Sequence, residues 1–274
     1  MYDFYFTDLK KIKQNPEKFL IFVKRLLPRW ANGIPDSECI AIYRLLEKLR
    51  KKVKKKLILC ETGSGASSIA MFLHCAIWGG KMFSWDTNAS KGSFLKSVIN
   101  ESICKVTGTN LNKIWTFISY DSTDSNVGIE VLKELKLKSD FCFFDSLHTL
   151  SHLKKEIKSF ESVASKTFMI ALDDAYYDKR FSNFSYLNMI RKKLGLKKII
   201  DKNKKNKCEP FYIETKNYLK KRYKKVVNLD NYYKQNFRKD IFFSYYDADR
   251  LFLNETGMED KSKLSNRLEV FLIN

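Results

Sequence analysis

Between residues 57 and 174, five short apolar runs alternate with helical stretches, and each run ends on a carboxylate. The runs are KLILCE, KMFSWD, IWTFISYD, DFCFFD and TFMIALDD. Apolar runs of this length read as buried strands, and the stretches between them carry helical patterning. Repeated strand–helix units dictate a parallel sheet with helices on both faces. Two further strands are expected near the end of the chain, in DIFFSYYDADRLFLNE and NRLEVFLIN. The expected fold is therefore α/β, with a doubly wound, mostly parallel, seven-stranded sheet.

Residues 1–54 precede this pattern and read as a helical extension. Pro16 opens an amphipathic stretch that stops near Pro28. Asp36 or Ser37 then marks a helix start. Ile42, Leu45, Leu46 and Leu49 follow on one helix face. The lysines at 51–56 suit the negative end of that helix. Residues 55–274 form the sheet domain, with an insertion over about 176–235. That insertion reads as a helix near 181–195, a basic loop, and a second helix near 214–225.

The chain has 274 residues, of which 44% are hydrophobic, enough for one large core. No apolar run approaches the roughly 18 residues of a membrane span. The N-terminus lacks the apolar core of a signal peptide. The six cysteines include no CxxC pair, so they read as reduced core residues. A cytoplasmic location is expected. Net charge is +20, from 51 basic and 31 acidic residues. Such a charge fits a polyanionic partner. It fits equally a compositional preference for lysine, and charge alone does not choose.

The first strand leads into Glu61-Thr62-Gly63-Ser64-Gly65, followed by Ser67 and Ser68 at a helix start. Two glycines let the backbone turn tightly and approach a ligand. The helix start offers free N–H groups to an anion. A dinucleotide fingerprint needs a third glycine where Ser68 stands. Glu61 would repel a pyrophosphate but could pair with the ammonium group of an amino acid. Asp86 ends the second strand about 20 residues past Gly65, where an acid accepts ribose hydroxyls.

Asp145 ends the fourth strand, and Asp173 and Asp174 end the fifth. Converging carboxylates repel unless they bind a cation or share protons. Oxygen ligands suit Mg²⁺ or a similar divalent ion. His148 and His152 have i, i+4 spacing, but no HExxH motif and no third ligand accompany them, so zinc is not indicated.

These segments together resemble the class I S-adenosylmethionine-dependent methyltransferases. More narrowly, they are similar to small-molecule O-methyltransferases of the catechol O-methyltransferase-like and cephalosporin hydroxylase-like group. The resemblance covers residues 34–178 and implies a Rossmann-like methyltransferase fold. It implies S-adenosyl-L-methionine as cofactor, bound by Glu61, Gly63, Gly65, Ser67, Ser68, Asp86 and Asp145. Asp121 and Ser122, in ISYDSTDS, would flank the adenine. Asp145, Asp173 and Asp174 would hold Mg²⁺ or another divalent cation. Asp145 and His148 would carry catalysis, His148 matching the Asp-x-x-His segment. Asp174 departs from the Asn found there in many metal-dependent members.

The implied acceptor is a hydroxyl of a small molecule or a glycan. No Pro-Pro-aromatic or Pro-Cys motif occurs, which disfavours base methylation. Methylation of RNA ribose stays open, as does a non-catalytic binding role. Oligomeric state has no signal in the sequence.

Overall fold

The computed structural model describes residues 6–34, 36–147, 149–173, 190–191, 193–197, 199, 210–223, 226–227 and 269–273. Among these residues, seven strands form one sheet in the order β3-β2-β1-β4-β5-β7-β6. Strands β1 (Leu57–Thr62), β2 (Gly80–Trp85), β3 (Trp115–Ile118), β4 (Ser139–Phe144) and β5 (Ala164–Leu172) run parallel. Strand β7 (Glu269–Ile273) is antiparallel to both β5 and the two-residue β6 (Val226–Val227). Strand order reverses between β1 and β4, and such a switch leaves a crevice at the carboxyl ends of these strands.

Side-chain alternation explains the layers. Leu57 and Leu59 of β1, Phe141 and Phe143 of β4, and Met169 and Ala171 of β5 pack on one face. Cys60, Cys142, Phe144, Ile170 and Leu172 pack on the other. Successive strand residues point to opposite faces, and both faces are buried, as a parallel sheet requires. Helices α4 (Ala66–Trp78) and α5 (Ala89–Ile99) cover the first face. Helices α8 (Leu150–Val163) and α9 (Pro210–Arg222) cover the second.

The N-terminal helices share the first core. These are α1 (Leu9–Gln14), α2 (Pro16–Lys24) and α3 (Asp36–Val53). Phe19, Leu20, Leu45 and Leu46 lie in the same cluster as Leu59 and Phe72. Asp36, expected as a cap, instead receives Lys24 Nζ at 2.8 Å and Arg25 Nη2 at 2.8 Å. This joins α2 to α3. Glu17 and Arg44 form a second, bidentate pair between the same helices.

Local chemistry explains where the elements differ from expectation. The third strand stops at Ile118, three residues before Asp121. Beyond it, Asp121 accepts the Thr123 N–H, and Asp124 accepts those of Asn126 and Val127. Aspartates that bond their own backbone compete with sheet pairing. The helix expected over 128–137 shrinks to one turn, α7 (Val131–Glu134). It follows α6 (Leu111–Ile114) in chain order. Helix α5 runs through a π turn (Asn100–Cys104) into a last α turn that Gly108 ends at φ 68°. Strand β6 was not expected, since two valines carry no periodicity. The strand expected over 240–255, and most of the helix over 181–195, lie outside the described residues. Five cysteines are described, all buried and free. Among the described residues, no helix is long and apolar enough to cross a membrane.

Candidate functional site

The glycine loop lies at the switch between β1 and β4. Gly63 has φ 81°, and its N–H donates to the Trp85 carbonyl at 2.8 Å. A Cβ there would sit 1.9 Å from the Asp145 carbonyl oxygen, so only glycine fits. The Asp145 N–H donates to the Thr62 carbonyl at 2.8 Å. The ends of β1 and β4 are thus locked together. Over Gly65, the Ala31 carbonyl lies 3.2 Å from where a Cβ would stand. The N-terminal segment therefore packs on the loop.

Glu61 supports the loop from beneath. It is fully buried and accepts Ser67 Oγ at 2.8 Å, Ser68 Oγ at 2.5 Å and Ser84 Oγ at 2.6 Å. Ser84 is its register partner on β2 and accepts Trp115 Nε1 at 2.7 Å. Ser68 Oγ also accepts the Gly65 N–H at 3.0 Å. Burial pushes the Glu61 carboxyl up to about 7, with the three serine hydroxyls and Lys91 pulling it back. Glu61, Ser67 and Ser68 were expected to face a ligand. In this conformation they face one another, because a buried carboxylate must be satisfied by donors.

Asp86 reaches the loop from β2. Its Oδ2 accepts the Ser64 N–H at 2.9 Å and Ser64 Oγ at 2.7 Å, and Lys91 Nζ lies 3.2 Å away. Its Oδ1 accepts the Asn88 N–H at 2.9 Å. Burial raises the Asp86 carboxyl, but these N–H donors, the Ser64 hydroxyl and Lys91 outweigh it and hold it below its usual range. A carboxylate oxygen has two lone pairs, so Oδ1 retains capacity for a further hydroxyl.

The remaining acids separate into two groups. Asp145 and Asp173 follow Phe144 and Leu172, which pair in register, and the Asp173 N–H donates to the Phe144 carbonyl at 3.1 Å. The topology therefore brings these two strand ends side by side. Asp174 and His148 lie outside the described residues. Among the described residues, no group of three or more acids, histidines or cysteines is arranged to hold a metal ion. Asp121 is exposed and accepts Thr123 N and Oγ1, both at 2.7 Å. Ser122 is buried and donates to Glu156 Oε1 at 2.5 Å.

Glu156, Ser64 and Ser146 were missed by the sequence reading. Glu156 left a signal. It falls among Leu153, Ile157 and Phe160 on the buried face of α8, where an acid is out of place. Ser64 and Ser146 left none, since serine is common in any loop. A cavity of about 630 Å³, lined by Lys96, Asn100, Gly108 and Asn112 among others, lies before β3 at the amino-end side. It contains none of the acidic strand ends.

The chain matches no known family profile and no curated protein. Solved structures do resemble it. A Staphylococcus aureus protein provisionally described as a caffeoyl-CoA O-methyltransferase aligns over 94% of this chain and 99% of its own. The TM-score is 0.51 at 12% identity. The O-methyltransferase TomG from Streptomyces achromogenes, solved with S-adenosylmethionine, aligns over 78% and 82% at TM-score 0.46 and 10% identity. A Bacillus cereus O-methyltransferase, solved with S-adenosylhomocysteine, aligns over 83% and 90% at TM-score 0.46 and 9% identity. The full-length likeness to the S. aureus structure, with the strand order above, shows that this chain has the class I methyltransferase fold.

Proposed function

We propose that the chain is an S-adenosylmethionine-dependent methyltransferase that methylates a hydroxyl of a small molecule or glycan. One observation carries the reading: Asp86 reaches across from β2 to Ser64 of the glycine loop, at the strand-order switch. An acid so placed receives ribose hydroxyls, and the loop gives close backbone approach to the rest of the nucleoside. Ser68 fills the position of a third glycine and uses its hydroxyl on Glu61, which favours a sulfonium nucleoside over a dinucleotide. The S. aureus structure is described as an O-methyltransferase, which supports the reaction class by analogy of fold.

The bound cofactor supplies an electrophilic methyl group. The protein's part is to hold an acceptor oxygen in line with the sulfur–methyl bond and take up the acceptor's proton. Asp145 and His148 are the residues we assign to the acceptor side. Asp121 and Ser122 flank the adenine in this reading. Asp145 and Asp173 have the oxygen chemistry that Mg²⁺ prefers, and Asp174 would complete the set. Two described carboxylates are a partial match to a cation site, so no catalytic step is assigned to a metal. The N-terminal helices form one boundary of the cofactor crevice, and the insertion over 176–235 is assigned to the acceptor.

Calorimetric titration with S-adenosylhomocysteine, with and without Mg²⁺, tests the reading. Micromolar binding is expected in both conditions. Absence of binding in both would overturn it.

A further inference from the structure

The loop after β3 does not stay above its own strand. It lies against the end of β2 and reaches α8, which follows β4. Two contacts pin it there. Trp85 Nε1, at the end of β2, donates to the Val127 carbonyl at 2.7 Å. Ser122 Oγ donates to Glu156 Oε1 on α8 at 2.5 Å. The same Glu156 oxygen accepts Ser146 Oγ, from the residue after Asp145, at 2.7 Å. His152 Nε2 stands 3.3 Å from it, one helical turn earlier. One buried carboxylate oxygen therefore gathers the loop after β3, the loop after β4 and the helix that follows.

Burial makes this arrangement specific. Glu156 is 1% exposed, on a helix face otherwise filled by Leu153, Ile157 and Phe160. An apolar residue would fill the core there equally well. A carboxylate is costly to bury unless donors meet it, so its value lies in what it holds together. Burying a polar group to fix one arrangement over others is a known use of such residues.

We infer that Glu156 is a positioning residue that fixes the adenine-side wall of the cofactor crevice by tying Ser122 to Ser146. The inference rests on the methyltransferase reading, which makes Asp121 and Ser122 the adenine flank. His152 sharpens it. The Glu156 hydrogen bond, working against burial, holds the His152 imidazole above its usual value.

The test is a calorimetric titration of the full chain with S-adenosylhomocysteine and, separately, with 5′-methylthioadenosine, which lacks the amino-acid end. Glu156→Ala should weaken both ligands by a similar factor, about 10-fold or more, since charge-assisted hydrogen bonds are of that strength. Glu156→Gln keeps an acceptor oxygen for both serines and should bind within about 3-fold of wild type at pH 7. Ser122→Ala removes one hydroxyl and serves if Glu156→Ala fails to fold. It should weaken both ligands alike, by about 5-fold.

Wild-type binding with unchanged affinity in Ser122→Ala and Glu156→Ala would overturn the inference and leave the methyltransferase reading standing. A loss confined to S-adenosylhomocysteine would also overturn it, because the wall would then act on the amino-acid end. No wild-type binding to either ligand would overturn both.

Discussion

The acids at the carboxyl ends of the parallel sheet and the exposed turns at its amino ends treat charge and backbone differently. At the carboxyl ends, Glu61, Asp86 and Asp121 each meet two or more donors within 3 Å. At the amino ends, Lys54, Lys56, Lys81, Lys113 and Lys136 are exposed, and none has an acidic partner within 4 Å among the described residues. The backbone shows the same contrast. Gly63, at φ 81°, admits no side chain. Lys54 and Lys136, both at φ 53°, fill left-handed turns where glycine is the usual choice. The amino ends are not uniformly loose: a Cβ on Gly80 would lie 2.4 Å from the Leu57 carbonyl oxygen, and buried Asp140 pairs with Lys55 at 2.7 Å. The tolerance of strain and unpaired charge belongs to the turns at Lys54 and Lys136 and the exposed lysines around them. Part of the +20 charge therefore stands in solvent on the face away from the crevice. The difference can be broken by substitution.

The largest effect is expected for Gly63→Ala. The new methyl would lie 1.9 Å from the Asp145 carbonyl oxygen, so β1 and β4 would have to part at the switch. Left-handed strain adds to the clash. A loss of about 3 kcal/mol or more is expected, seen as a fall in Tm of roughly 10 °C by scanning calorimetry. A fall of only a degree or two would mean that this edge is as tolerant as the other.

Glu61 tests whether its polar network is under strain from burial. Its folded pKa of about 7 lies above its ordinary value of 4.5. Its stabilising contribution is therefore fully present below 4.5 and is lost as pH rises through about 7. Wild type should lose several degrees of Tm between pH 6 and pH 8. His152 acts in the same direction, so the comparison is with Glu61→Gln, which removes only the Glu61 titration. The variant should show a flatter profile over that window. Burial holds His74 below the usual imidazole value of 6.5, so its contribution is lost on the other flank, as pH falls below 6.5. Identical slopes for the two proteins above pH 6 would show that Glu61 stays charged despite its burial.

How much of this contrast was legible follows from range. The continuous apolar runs within KLILCE and DFCFFD are local, and they gave the strands and their order of succession. The glycines and Asp86 were also legible, since turn geometry and strand ends leave short-range marks. What the carboxylates touch was not legible. Ser84 reaches Glu61 only through cross-strand register, and Glu156 meets Ser122 only because the loop after β3 reaches the helix that follows β4. Glu61 read as a ligand-facing acid because sequence does not tell which face of a strand end is covered. The left-handed lysines were hidden for the opposite reason. Glycine marks such turns by its identity, and lysine does not.

Asp86→Asn separates binding from folding at the ordered end. Its carboxylate is partly exposed, and Asn retains one acceptor oxygen and adds a donor. The Ser64 and Asn88 bonds compete for that one oxygen, so the loop loosens while the core stays intact. Stability should change by about 1 kcal/mol or less. Affinity for S-adenosylhomocysteine should fall by about 10-fold to 100-fold, as expected when a charged acceptor for ribose is lost. Unchanged affinity would remove Asp86 from the cofactor site.

The smallest effect, and the one of opposite sign, is expected at the amino ends. Lys136 ends α7 in a paired-bond turn, its N–H donating to the Lys133 carbonyl and that of Leu137 to the Leu132 carbonyl. Lys54 ends α3 with its N–H on the Arg50 carbonyl. A side chain in the left-handed region costs about 1 kcal/mol, which Lys54→Gly and Lys136→Gly would each relieve. The greater freedom of glycine in the unfolded chain offsets about half of that or more. Each variant should therefore be neutral to slightly stabilising, by up to about 0.5 kcal/mol, with cofactor affinity unchanged. Scanning calorimetry of the double variant, where the gains add, gives the clearest reading. A marked loss of stability would mean that these lysines are held by contacts that offset their backbone strain, and the amino ends would then be as constrained as the carboxyl ends. Insertion of glycine at one end and its removal at the other would thus act in opposite directions on a single sheet.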